Sequence, residues 1–156
     1  MNPQVLDSVG IAARVPHSGS MCLLQRLCGW SSASIECSAI SHRDPANPLR
    51  TQGRLLAPNA IEYAAQAMAL HCALSSDLST DLRTEPAAAP TPGFLASVRA
   101  VTLHVPRLDD VAGELRIVAT KLAGDSRQAM YSFTLRDDRG LLLVDGRATV
   151  VLNALP

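Results

Sequence analysis

Aromatic residues are nearly missing from this chain, with one Trp, two Tyr and two Phe in 156 residues. That scarcity argues against the stacked aromatic platforms that hold single-stranded nucleic acid. Net charge is missing too, because 14 Lys and Arg balance 14 Asp and Glu. With no block of like charges, nothing in the composition points to DNA, RNA or a membrane surface as partner. No apolar run approaches the roughly 20 residues of a spanning helix. Met1 to Arg14 lacks a basic stretch leading into an apolar run, so no secretory signal is expected and the expected compartment is the cytoplasm. The cysteines, Cys22, Cys28, Cys37 and Cys72, form no C-x-x-C pair and no zinc-finger spacing with a histidine. They read as small buried hydrophobes in a reducing compartment. There is no phosphate-cradling glycine loop and no Gly-x-Ser-x-Gly elbow. No metal and no cofactor is expected.

Apolar residues make up 47% of the chain, so the core must be built from Leu, Val, Ile and Ala. A chain of this length fits one domain, residues 1–156, and a domain of that size buries roughly two thirds of its unfolded surface. Val5 to Ala13 reads as a short helix, and 15–20 as a loop punctuated by Pro16 and Gly19. Met21 to Trp30 is apolar enough for a buried strand. Ser34 to Ile40 alternates, with Ile35, Cys37 and Ala39 on one face, which is a period-2 strand. His42 to Arg54, broken by Pro45, Pro48 and Gly53, is a long loop, and long loops in compact domains are often functional.

Ala57 to Ser75 is the clearest helix. Pro58 sits where a first-turn proline is tolerated, and Ile61, Ala64, Ala65, Met68 and Cys72 form an apolar stripe at helical spacing. Glu62, Gln66 and His71 alone interrupt its apolar character, so the spacing predicts burial on most sides. Asp77 to Pro92 reads as a proline-biased connector. Four strands are then expected at 94–105, 114–122, 127–136 and 141–152, the last three as an antiparallel meander joined by Gly124-Asp125-Ser126 and Asp137-Asp138-Arg139-Gly140. One apolar helix among antiparallel strands is an α+β layer arrangement, with the sheet curled around the helix.

Three stretches resemble the FabZ/FabA-like 3-hydroxyacyl-carrier-protein dehydratases. They are Val15-Pro16-His17 followed by Met21-Cys22-Leu23-Leu24; Ala60-Ile61-Glu62-Tyr63-Ala64-Ala65-Gln66-Ala67; and Phe94-Leu95-Ala96-Ser97-Val98-Arg99-Ala100-Val101. Pro48-Leu49, Gly53, Leu55 and Ala57 ahead of Ile61 to Gln66 resemble more closely still the ApeP-like dehydratases of aryl-polyene clusters. The resemblance implies a hotdog fold, a long central helix wrapped by a curved antiparallel sheet. It also implies elimination of water from a 3-hydroxyacyl thioester on an acyl carrier protein, in fatty-acid or polyketide biosynthesis.

That elimination takes a proton from C2 and hydroxide from C3, so it needs a base near one and an acid near the other. A helix N-terminus can polarise the thioester carbonyl. Glu62, early in the apolar helix, is the candidate acid/base, and burial would tune it toward neutral pH. Gln66 lies one turn on, on the same face. The resemblance implies that Gln66, Tyr63 and the strand residues Phe94, Leu95 and Ala96 line the substrate site. It also implies a histidine fourteen residues before the acid, where this chain has Pro48. His17 and His42 are the candidates to replace it. His71 and His104 read as core or surface residues.

Two further readings stand beside the dehydratase. One is a catalytically incomplete subunit that pairs with a second hotdog chain. The other is an acyl thioesterase running on a lone carboxylate. Carrier proteins are acidic, so Arg50 and Arg54 ahead of the helix are candidates for docking. The resemblance further implies a homodimer or heterodimer joined edge to edge through its sheets.

Overall fold

A computed structural model describes residues 5–15, 19–80 and 94–152. The chain runs β1 (Leu6–Asp7), α1 (Ser8–Ala12), β2 (Arg26–Trp30), β3 (Ser34–Ala39), α2 (Ala60–Thr80), β4 (Phe94–Leu103), β5 (Leu115–Gly124), β6 (Gln128–Arg136) and β7 (Leu142–Val151). The strands form one antiparallel sheet in the order β1-β2-β3-β5-β6-β7-β4. Among the described residues no helix is long and apolar enough to cross a membrane.

Alternation decides which face of each strand is buried. Ile35, Cys37 and Ala39 of β3, Leu115, Ile117 and Ala119 of β5, and Ala129, Tyr131, Phe133 and Leu135 of β6 are all buried. They pack with Tyr63, Ala64, Ala67, Met68, Leu70 and Leu74 of α2 in one core. α2 lies across β3, β5 and β6. The small alanines let helix and sheet close together, and Gly146 does the same inside the sheet. A Cβ on Gly146 would stand 2.9 Å from Phe133 Cζ and 3.0 Å from Val101 Cγ2.

The buried face of α2 differs from the expected stripe. Ile61, Ala65 and Cys72 are only half-buried, while Tyr63, Gln66 and His71 are buried. Strand β2 is also shorter than the apolar run suggests. It begins at Arg26 rather than Met21, because the backbone of 21–23 is bonded by side chains of other elements instead of by a strand. Gly29 and Trp30 belong to β2, and the turn falls at 31–33. The helix continues through Thr80, taking in the first residues assigned to the connector; the rest of that connector lies outside the described residues.

The two edges of the sheet are unequal. β1 has two residues, and β4 has ten, with Leu95 and Leu103 exposed. The ladder from β4 to β7 shifts register between Arg99 and Thr102, where Ala100 takes φ +52. A non-glycine residue in that region is strained, and here it marks an edge bulge.

Candidate active site

Helix α2 is placed by its entry. Leu108 N–H donates to Leu55 O at 2.7 Å and Ala57 N–H to Pro106 O at 3.1 Å. The start of the helix is thereby paired with the connection between β4 and β5. These bonds have a chemical consequence. Ala57 N–H is used by Pro106, Asn59 N–H by Leu56 O and Ala60 N–H by the first-turn carbonyls, while Pro58 has none. With these amides engaged, what this stretch of the helix start offers a thioester carbonyl is chiefly its dipole.

Glu62 stands in the first turn of α2 and is half-buried. One turn on, Gln66 is fully buried, and its Nε2 donates to Glu62 Oε1 at 3.2 Å. The same amide donates to Met21 O at 2.6 Å, and its Oε1 accepts from Leu23 N–H at 2.9 Å. Gln66 therefore both touches the carboxylate and holds segment 21–23 across the helix. Ser41 Oγ completes that fixing by donating to Leu23 O at 2.8 Å.

Since Ser41 gives its proton to Leu23, the Tyr63 hydroxyl, 2.8 Å away, must donate to Ser41 Oγ. Tyr63 is buried, and burial pushes its phenol up from the ordinary value. Asn47 Nδ2 donates to Tyr63 Oη at 3.2 Å and to Ser41 O at 2.9 Å, and its Oδ1 accepts from Leu49 N–H. Ser41 and Asn47 were not singled out from the sequence. The one available signal was a lone Asn between Pro45 and Pro48.

His42 is buried in a single 3-10 turn. Its Nε2 lies 3.1 Å from Val111 O, so that nitrogen carries the proton and donates. Nδ1 is then a lone-pair acceptor, buried and without a hydrogen-bond partner among the described residues. Burial lowers its pKa below the ordinary histidine value, aided by the charges of Arg43 and Arg50. His42 is thus a neutral imidazole bonded toward the loop before β5. His17 lies outside the described residues, as does the Phe94 side chain, although the Phe94 backbone opens β4. Leu95 and Ala96 follow on that edge, both exposed.

The two docking candidates part company. Arg54 is exposed at the end of a tight Thr51–Arg54 hairpin whose central residues, Gln52 and Gly53, take φ +51 and +74. Two positive φ values are what a type I′ turn needs. Arg50 is drawn inward, with its guanidinium on loop carbonyls. His71 and His104 are placed elsewhere. His71 bonds Tyr131 and Ser31 in the core, and His104, just past β4, pairs with Asp145 at 2.8 Å on the surface.

A curved antiparallel sheet around one long helix, with a carboxylate in the first turn of that helix, defines a hotdog-fold protein. The family model described as ApeP dehydratase matches residues 9–154, and the chain belongs to this ApeP-like dehydratase family. Among solved structures it is similar to the dehydratase heterocomplex ApeI:P from Xenorhabdus doucetiae, with 27% identity and a TM-score of 0.76 over 92% of this chain and 91% of that one. It also matches the thioesterase HI1161 from Haemophilus influenzae, at 13% identity and a TM-score of 0.63 over 96% and 92% of the two chains. AziG from S. sahachiroi matches at 16% identity and a TM-score of 0.54 over 85% and 92%. The last two likenesses show the fold alone. No curated protein matches the chain.

Proposed function

We propose that the protein removes water from a 3-hydroxyacyl thioester presented by an acyl carrier protein, with Glu62 as acid/base, in an assembly with a second hotdog subunit. The observation that carries this reading is the pairing of Glu62 and Gln66 at the start of a buried helix in an ApeP-like dehydratase. Glu62 exchanges the proton. Gln66 holds the carboxylate oxygen and keeps the 21–23 segment against the helix, and Tyr63 fixes Ser41 beneath that segment. Phe94, Leu95 and Ala96 give the acyl chain an apolar strand to lie against. The exposed Arg54 faces the acidic carrier protein. The product is an enoyl thioester for fatty-acid or aryl-polyene-type polyketide assembly. The setting is cytoplasmic, in keeping with four free cysteines.

Pro48 stands where the family motif has its histidine, which favours a second subunit as the source of imidazole. The heterocomplex of the Xenorhabdus relative is a precedent for such a pair. Within this chain, His17 and His42 are the residues to test in that role. His42 serves only if its Nδ1 reaches the substrate. A thioesterase reading rests on neighbours that share only the fold.

The test is enoyl formation from 3-hydroxyacyl carrier protein, by the chain alone and with its second subunit, for wild type, Glu62→Gln, His17→Ala and His42→Gln. Turnover that Glu62→Gln abolishes supports the reading. Release of free acid in place of enoyl thioester would replace it with a thioesterase.

A further inference from the structure

We propose that Arg50 is a positioning residue for Glu62, acting through Asp109 to fix the loop that leads into α2. The proposal rests on the reading of Glu62 as acid/base. The Arg50 side chain is 15% exposed and that of Asp109 is 6% exposed. Arg50 Nε donates to Asp44 O at 2.8 Å, Nη1 to Gly53 O at 2.8 Å and Nη2 to His42 O at 3.3 Å. One planar group thus gathers three carbonyls from both limbs of the 42–53 loop. Nη1 also lies 3.9 Å from Asp109 Oδ2.

Asp109 is the other half of the clamp. Its Oδ1 accepts from Leu55 N–H at 2.9 Å and from Arg107 Nε at 3.0 Å, and Oδ2 pairs with Arg107 Nη2. The Arg107 guanidinium, followed by the Leu55 amide, holds its carboxyl well below the usual carboxylate range. Leu55 is bonded twice, through its N–H to Asp109 and through its O to Leu108 N–H. It stands seven residues before Glu62, so the clamp sets where α2 begins and how its first turn faces the substrate. A guanidinium occupied in this way has few donors left for a partner protein, which leaves docking to Arg54.

Lysine keeps the charge of Arg50 but lacks the planar fork. Arg50→Lys and Arg54→Gln are to be compared with wild type and Glu62→Gln in whichever form turns over, the chain alone or with its second subunit. Each is assayed on 3-hydroxyacyl carrier protein and on a 3-hydroxyacyl N-acetylcysteamine thioester, which has no carrier. We expect Arg50→Lys to lower kcat by about 10- to 100-fold on both substrates with KM little changed, the scale of a misplaced reacting group. Arg54→Gln raises KM for the carrier-bound substrate alone. Asp109→Asn, which keeps an acceptor for Leu55, follows Arg50→Lys in direction and serves if that variant does not fold. Hydrogen exchange at the Leu55 amide, which donates to Asp109, gives a readout independent of turnover, and should quicken in Arg50→Lys but not in Arg54→Gln.

Unchanged kcat in Arg50→Lys, a KM effect confined to the carrier substrate, or unchanged exchange would overturn the clamp. If Glu62→Gln keeps full turnover, the proposed function itself fails, and the positioning role fails with it.

Discussion

Helix α2 carries two buried hydrogen-bonded chains, one at its first turns and one just past its middle, and the two end differently. Toward its C-terminal half, His71 Nε2 donates to Ser31 O at 2.7 Å, which leaves Nδ1 to accept from the Tyr131 hydroxyl at 2.7 Å. The Cys72 thiol, 3.4 Å from that oxygen, can then be its donor. The protons run one way and stop on a backbone carbonyl. His71 packs edge-on against Trp30 and Tyr131, burial lowers its pKa, and burial raises those of Tyr131 and Cys72. Near the N-terminus the Gln66 amide donates both to Met21 O and to the half-buried carboxylate of Glu62, so one branch of that chain reaches an ionisable group. A closed chain ending on backbone holds the core together. A chain with a branch onto an ionisable group at a helix start also fixes that group's position.

The largest expected effect tests that contrast directly. Glu62→Gln should cost at least about 100-fold in dehydration, as loss of an acid/base does, while the thermal midpoint stays close to wild type. Gln66→Met should do both kinds of damage. The buried Leu23 N–H loses its partner at about 1–3 kcal/mol and the part-buried Met21 C=O loses its own at less, measurable by denaturant unfolding, and kcat falls because the carboxylate loses its anchor. Tyr131→Phe should lower stability by about 1–3 kcal/mol, because His71 Nδ1 is left buried without a donor, and leave kcat as it was. A kcat loss there would erase the distinction between the two chains.

The smallest effect concerns pH. His42 and His71 are both held neutral by burial in the fold, whereas in the unfolded chain they take up protons near pH ~6.5. As pH falls below that value the unfolded state binds more protons, so stability is lost on acidification from there down through the folded pKa values, and the contribution of the two histidines is constant above. Thermal midpoints measured from pH 7.5 downward should show this, with a shallower fall in His71→Gln.

Much of the architecture was legible because alternation and turn chemistry are local. The faces of β3 and β6 and the hairpins after Gly124 and Asp137 lie where the residues put them. The phase of α2 was not legible, because a helix apolar nearly all round carries no marker of which side the sheet takes. The start of β2 was hidden for another reason. Residues 21–23 are apolar like a strand, but their backbone partners are the side chains of Gln66 and Ser41, far along the chain. Glu62 and Gln66 could be picked out as polar residues in an apolar helix. The inward turn of Arg50 could not, because its partner Asp109 sits in a turn fifty-nine residues away and an arginine in a polar loop reads as solvated.

The unequal sheet edges limit how the protein can assemble. A two-residue border such as β1 offers almost no ladder to a newcomer, whereas β4 presents ten residues and an exposed Leu95 and Leu103. Among the described residues the sheet therefore has one long border. Pairing along β4 would consume that border and leave each partner only the short β1 edge, a poor valence for further growth.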